Sequence, residues 1–321
     1  MIKDQKITDT YAVYNADCMH VLPTLEKDSV DLSIYSPPFA GLYNYSSSPN
    51  DFSNCATREE FLQQYEFLIK EMSRITKPGR LSVVHVEEII NQNGSNWDFP
   101  HAVIELHEKY GFHYKNRITI WKEPLRVRLR TMVRSLMHKL IVEDSTECFT
   151  AMPDYLLVFK KAGENKVPVT HSMGFSNYAG ETLLLEAMKS KYGSLEDLKK
   201  KYQNWDDPKT NKLSHIIWQR YASSVWDDIR IDNVLPFRDS KEEDDEKHVH
   251  PLQLDVIERC IDLWSNPGEV VLTPFMGVGS EVYGAVKLGR KAIGIELKES
   301  YYKQAIQNLE FRKTVDQENL C

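Results

Sequence analysis

A run of strand-forming residues, Val30-Asp31-Leu32-Ser33-Ile34-Tyr35, ends in Ser36-Pro37-Pro38-Phe39. Far along the chain a second run, Glu269-Val270-Val271-Leu272, opens into Thr273-Pro274-Phe275-Met276-Gly277-Val278-Gly279-Ser280. A third run, Ala292-Ile293-Gly294-Ile295, ends in an acid, Glu296. Short apolar runs closed by turn residues, with helical patterns between them, predict buried strands of an α/β fold. In such folds the loops leaving the C-terminal ends of the strands line one edge of the sheet, and ligands sit there. The chain is thereby confined to a strand–helix alternation with two unusual loops at one end.

The first loop is chemically specific. Each proline fixes its φ and lacks an N–H, and the residue before a proline is pushed towards extended geometry. Ser36 to Phe39 is therefore a stiff loop that presents oxygens. An exocyclic amino group on a nucleobase carries two N–H donors, and its lone pair is delocalised into the ring. Acceptance of both hydrogen bonds, by the Ser36 hydroxyl oxygen and the Pro37 carbonyl, localises that lone pair and aims it at a methyl donor. This is catalysis by positioning and electrostatics. It requires no metal, covalent intermediate or strong base. Pro38 stiffens the loop, and a base flipped out of a duplex could stack on Phe39. Taken alone, the tetrapeptide reads first as a rigid surface turn.

The second loop adds a ligand-binding pattern. Gly277 and Gly279 allow close approach of the backbone, and Phe275 is available to lie against the ligand. The spacing differs from G-x-G-x-x-G, because the third glycine is Gly284. Glu296 ends the next strand near the ~20-residue separation at which an acid accepts from ribose hydroxyls. By itself this half is equally an ordinary βαβ turn with a solvated acid. The presence of both halves in one chain favours a shared site.

Together these motifs resemble those of the amino-directed DNA methyltransferases that use S-adenosyl-L-methionine. Their order, catalytic motif before cofactor motif, resembles that family's beta class. The resemblance covers most of the chain outside roughly residues 123–220. It implies a Rossmann-like methyltransferase fold, α/β, with a mainly parallel sheet, helices on both faces and an inserted target-recognition region. It also implies roles. Asn15-Ala16-Asp17-Cys18 is similar to the family's segment beside the cofactor adenine, which places Asp17 and Cys18 there, although Asp17 reads almost as well as a helix N-cap. Phe275, Gly277, Gly279 and Ser280 shape the cofactor pocket, Glu296 and Leu297 lie at the ribose, and His250-Pro251-Leu252-Gln253 resembles the methionine-binding segment. Departures are Thr273 where an acid is usual, Glu281 after Ser280, and no lysine after His250-Pro251. A serine before Pro-Pro favours N4 of cytosine over N6 of adenine. The implied partners are double-stranded DNA and a cognate restriction endonuclease. N6-adenine methylation, methylation of RNA or of a protein amide, and a catalytically degenerate nucleic-acid-binding module stay open.

Composition narrows the setting. The five cysteines of the 321 residues are scattered, with no Cys-x-x-Cys and no zinc spacing, so no metal site is expected. No apolar run is long enough to span a bilayer, and Met1 to Lys6 lacks an apolar signal core. The expectation is a cytoplasmic, nucleoid-associated protein, monomer or homodimer. A net charge of −7 argues against a generic polyanion binder. Yet between Lys122 and Lys139 there are six Lys or Arg residues and one acid, Glu123. Arg126, Arg130 and Arg134 recur every fourth residue and would share a helix face. With Arg128 and Lys139 they are the expected DNA-binding residues. The acidic run Glu242-Glu243-Asp244-Asp245-Glu246 reads as an exposed loop.

The expected organisation is a split catalytic domain, residues 1–121 and 222–315, around a target-recognition insert, 122–221, with a tail at 316–321. Thr57-Arg58-Glu59-Glu60 resembles a capping box. Phe61, Tyr65, Leu68, Met72 and Ile75 then fall at helical spacing, and Pro78-Gly79 is read as the stop. Strands are expected at 81–86, 117–121 and 155–160, and helices at 101–110, 180–203 and the C-terminus to about Phe311. Tyr43, Tyr45 and the polar stretch Ser46 to Asp51 read equally as a flap over the flipped base or a plain loop.

Overall fold

The computed structural model describes residues 1–38, 52, 55, 57–90, 95–131, 134–201, 211–240 and 251–318. The strands in chain order are β1 (Asp4–Ile7), β2 (Tyr11–Asn15), β3 (Val30–Tyr35), β4 (Thr76–Val86), β5 (Ile89–Ile90), β6 (Asn96–Trp97), β7 (Phe112–Ile120), β8 (Asp154–Lys161), β9 (Val225–Trp226), β10 (Val270–Thr273) and β11 (Lys291–Glu296). Apart from the β5–β6 pair they form one nine-stranded sheet in the order β1-β2-β11-β10-β3-β4-β8-β7-β9. Its centre, β2-β11-β10-β3-β4, is parallel throughout. All six residues of β3 are buried, as expected of a strand covered on both faces.

The helices are α1 (Cys18–Val21), α2 (Arg58–Ile75), α3 (Phe99–Lys109), α4 (Pro124–Thr131), α5 (His138–Glu143), α6 (Glu186–Tyr192), α7 (Leu195–Lys201), α8 (Lys212–Tyr221), α9 (Leu254–Trp264), α10 (Ser280–Lys287) and α11 (Glu299–Glu318). On one face, Leu32, Ile34, Val83 and Val271 pack with Val256, Ile257, Ala285 and Ala305 of α9 to α11. On the other, Val30, Tyr35, Val84 and Leu272 pack with Phe61, Leu68, Met72 and Val103 of α2 and α3. Among the described residues no helix is long and apolar enough to cross a membrane.

The start of α2 follows its local signal: Thr57 Oγ1 accepts from Glu60 N at 3.2 Å, and Phe61, Tyr65, Leu68, Met72 and Ile75 are fully buried. Its end does not. The helix stops at Ile75 and β4 begins at Thr76, so Pro78-Gly79 sits inside a strand. Gly79 has φ +74, and a Cβ there would lie 2.4 Å from the Asn165 backbone nitrogen. The glycine serves a kink and a close approach rather than a helix stop. The expected helix over 180–203 is two short ones, α6 and α7, parted by Gly193 at φ +81 and by Ser194, whose N–H donates to Asp197 at 2.8 Å. At the C-terminus α11 continues past Phe311 to Glu318, through the first residues of the expected tail. Within 122–221, β8 is a strand of the main sheet between β4 and β7.

Candidate active site

Strands β3 and β10 are parallel neighbours, with Leu32 opposite Val271 and Ser33 opposite Leu272. The Asp31 carboxylate locks them, accepting from Val270 N at 3.0 Å and from Lys77 Nζ at 2.7 Å. The loops that follow therefore leave the same end of the sheet side by side. The Phe275 ring centroid lies 6.1 Å from that of Tyr35, the residue before Ser36, and 5.8 Å from that of Phe52. Pro37 is buried, and Ser36 and Pro38 are half-buried. Phe39, Tyr43, Tyr45, Ser46 to Asp51, the acidic run 242–246 and His250 lie outside the described residues.

The glycine-rich turn is held from behind by Glu296. Its Oε2 accepts from Gly277 N and its Oε1 from Lys298 N, both at 2.8 Å. Gly277 (φ +52) has open space where a Cβ would be, while Gly279 (φ +92) would place one 3.1 Å from the Ala305 Cβ. One glycine exposes backbone to the site and the other permits close packing of α11. The Asp17 segment abuts the same acid: Ala16 N donates to the Glu296 carbonyl at 3.0 Å, and Asn15 Nδ2 donates to the Glu296 and Leu297 carbonyls at 2.9 and 3.2 Å. Asp17 is the N-cap of α1 and accepts from Met19 N at 2.8 Å. Cys18 is buried, and burial pushes its thiol well above the usual range, so it is a packing residue rather than a nucleophile.

This pocket has unmet polar capacity. Among the described residues, Thr273 Oγ1 and Ser280 Oγ, at the two ends of the turn, are buried without a hydrogen-bond partner. Glu281 is buried beside them in sequence, and burial, with Glu296 adding to it, pushes its carboxyl up to about 8. Orphaned hydroxyls and an acid without a cation fit a ligand that brings hydrogen-bond donors and a positive charge, as the amino-acid end of S-adenosylmethionine does. The acid also makes a pH prediction. Its folded value, about 8, lies above its ordinary 4.5, so in that interval the folded state holds a proton that the unfolded state has lost, and stability falls as pH rises. The Tm of the ligand-free protein should decline from about pH 4.5 to about pH 8 through this group, and Glu281→Gln should remove that decline. Parallel Tm–pH curves for the two proteins would contradict it.

Behind Ser36 stands a polar group of residues that sequence reasoning missed. Ser36 Oγ lies 3.2 Å from both His85 Nδ1 and the His85 carbonyl oxygen. His85 Nε2 is 3.1 Å from Asp154 Oδ2, an ion-pair distance, though angled away from hydrogen-bond geometry. Asp154 also pairs with Lys122, which reaches Glu87 at 3.2 Å. Burial raises the Asp154 carboxyl, but Lys122 and His85 outweigh this and hold it well below the usual range. Burial leaves Glu87 raised in spite of Lys122. The available signal was a polar residue at one end of each of three predicted strands: His85, Lys122 and Asp154.

A family model of N6/N4 DNA methylases matches residues 30–307. The chain belongs to this family. As such it is an S-adenosylmethionine-dependent DNA methyltransferase. It is 26% identical over 302 residues to the type II methyltransferase M.BglII of Bacillus subtilis, an alignment covering 92% of this chain and 68% of the relative. Two solved structures share the fold. The TTHA0409 protein of Thermus thermophilus, complexed with S-adenosyl-L-methionine, has a TM-score of 0.59 at 19% identity, with 94% of this chain and 95% of its own covered. The PvuII DNA methyltransferase, cytosine-N4-specific, has 0.58 at 14%, covering 95% and 89%.

Among the described residues, the expected stripe is divided between two elements of this methylase. Helix α4 ends at Thr131, and Arg134 belongs to a separate 3-10 turn, Arg134–Leu136, so Arg134 does not share a helix with Arg126 and Arg130. Arg126 is exposed and 3.3 Å from Asp232, Arg128 is half-buried, and Lys139 pairs with Glu143 at 3.1 Å. Among the described residues no group of three or more His, Cys, Asp or Glu side chains could hold a metal.

Proposed function

We propose that this methylase modifies the N4 amino group of a cytosine flipped from duplex DNA. The observation that carries this reading is the neutral Ser36 hydroxyl at the end of β3, directly after Tyr35, whose ring centroid is 6.1 Å from that of Phe275. In the family that the motifs resemble, serine before Pro-Pro is seen more often with N4-cytosine enzymes, and aspartate with N6-adenine enzymes. Ser36 Oγ and the Pro37 carbonyl accept the two amino hydrogens, and the lone pair then points across the site. S-adenosylmethionine, when bound, supplies the methyl group as a sulfonium. Gly277 would offer backbone to it, and Glu296 would accept from the ribose. The Glu281 carboxyl, which burial pushes up to about 8 in the ligand-free protein, would give up its proton to pair with the ligand's positive charge in place of the acid absent at Thr273.

Target recognition is assigned to the parts of 122–221 outside β8, with Arg126, Arg128, Arg130, Arg134 and Lys139 at the phosphates. Arg130→Ala is expected to weaken DNA binding and to lower the slope of log affinity against log salt by about one. An unchanged slope places the DNA surface elsewhere. The reading includes a cognate restriction endonuclease as functional partner, a cytoplasmic setting and action at the nucleoid. The name of M.BglII as a type II methyltransferase supports the endonuclease.

The test is to incubate the protein with duplex DNA and methyl-labelled cofactor, digest the DNA to nucleosides and identify the labelled species. N4-methylcytosine is expected. Label in N6-methyladenine overturns the assignment of the base, and absence of label overturns the assignment of the reaction.

A further inference from the structure

We propose that His85 is a positioning residue that receives the proton lost by the target amino group, through Ser36, with Asp154 holding the resulting imidazolium. Methylation of an amino nitrogen leaves it with one hydrogen too many, and stripping that proton in step with transfer avoids a cationic amine in the product. Ser36 Oγ accepts from the amino N–H on one side and is 3.2 Å from His85 Nδ1 on the other. One proton passes from the amino nitrogen to Ser36 Oγ as the hydroxyl proton passes to His85 Nδ1, while the new N–C bond forms and the sulfonium C–S bond breaks. The positive charge of the sulfonium thus ends on the imidazole, and it later leaves as a proton to solvent. The proposal rests on Ser36 being the group that polarises the amine.

The surroundings fit an acceptor. With the Asp154 carboxylate 3.1 Å from Nε2, the favoured tautomer carries its hydrogen on Nε2 and leaves Nδ1 free to accept. Asp154 stabilises positive charge on the ring even without hydrogen-bond alignment, since the pair is nearly dry, with side chains 11% and 6% exposed, and low dielectric strengthens the attraction. Each neighbouring element contributes a group to the surroundings of His85. Ser36 comes from the end of β3, Asp154 from β8, Lys122 from the end of β7 and Glu87 from beyond β4. Lys122 sits between Asp154 and Glu87, so the cluster without the imidazole carries two acids and one base. An added proton on His85 neutralises it.

The experiment is the single-turnover rate of methyl transfer from about pH 5 to about pH 9, for the wild type, His85→Asn and Asp154→Asn. Asparagine keeps an oxygen near the Nδ1 position but takes no proton. The wild type is expected to gain rate about tenfold per pH unit up to a plateau. His85→Asn should be flat and at least about tenfold below that plateau, with dissociation constants for S-adenosylmethionine and DNA, read by calorimetry, within about twofold of wild type. Asp154→Asn should lower the plateau and keep a limb. A flat wild-type profile, or a His85→Asn profile that parallels the wild type, overturns the proposal. Loss of cofactor binding in His85→Asn also overturns it, because that marks a structural role. A wild type with no transfer at any pH removes Ser36 chemistry as well, which separates failure of the function from failure of the relay.

Discussion

Ser36→Ala is expected to lower the single-turnover rate of methyl transfer by about 100-fold or more while S-adenosylmethionine affinity stays unchanged. The alanine removes one of two acceptors for the amino hydrogens, so the lone pair stays partly in the ring. It also removes the atom between the amine and His85. The cofactor side is built from other groups: Gly277 N is held by Glu296 Oε2 at 2.8 Å, whereas the Ser36 hydroxyl faces His85. Rate and affinity should therefore separate cleanly. Equal losses in both would move Ser36 out of the polarising role and into cofactor binding.

The largest loss of stability is expected from Arg259→Ala, by about 3–5 kcal/mol, with a fall in Tm on the order of 10 °C. Arg259 is fully buried on α9. Its Nη2 is 2.7 Å from Asp228 Oδ1, and its Nε donates to the Ala179 carbonyl at 2.6 Å. The guanidinium lies 5.4, 5.1 and 5.0 Å from the ring centroids of Tyr178, Tyr221 and Trp226. One side chain thus ties α9 to α8, to β9 and to the 178–180 segment. Gly180 makes room for it, since a Cβ there would sit 2.2 Å from Nη2. Burial raises the Asp228 carboxyl, but Arg259, with Tyr178 and Arg220, outweighs this and holds it below the usual range. Removal of the cation leaves that acid with Arg220, 3.0 Å away, as its remaining cation. Arg259→Lys should recover only part of the loss, because an ammonium cannot reproduce the planar fork or its stacking. A loss below about 1 kcal/mol for Arg259→Ala would show that the cage is dispensable.

Local signals carried a good part of this structure. Pro37-Pro38 and Gly277-Gly279 announce themselves because each demands a particular backbone, and the strands that precede them are rich in β-branched and aromatic residues. Thr57 and the spacing of Phe61 to Ile75 fix the start and face of α2 for the same reason. Signals failed where a residue type has two uses. Pro78-Gly79 punctuates a helix in most sequences, but here it kinks a strand against Asn165. The four-residue spacing of Arg126, Arg130 and Arg134 suggests one face, yet the helix under it ends at Thr131. Gly193 breaks what periodicity alone reads as one long helix. The His85–Asp154–Lys122 group was illegible for a deeper reason. Its members meet only because β8 enters the sheet antiparallel between β4 and β7, and no local pattern encodes that order.

The most direct test of the whole account is to express the protein in a host that lacks DNA methylation and to sequence that host's genome by single-molecule kinetics. The account predicts one short motif modified at nearly every occurrence, with the modification lost on Ser36→Ala. An unmodified genome in cells full of soluble wild-type protein would contradict it.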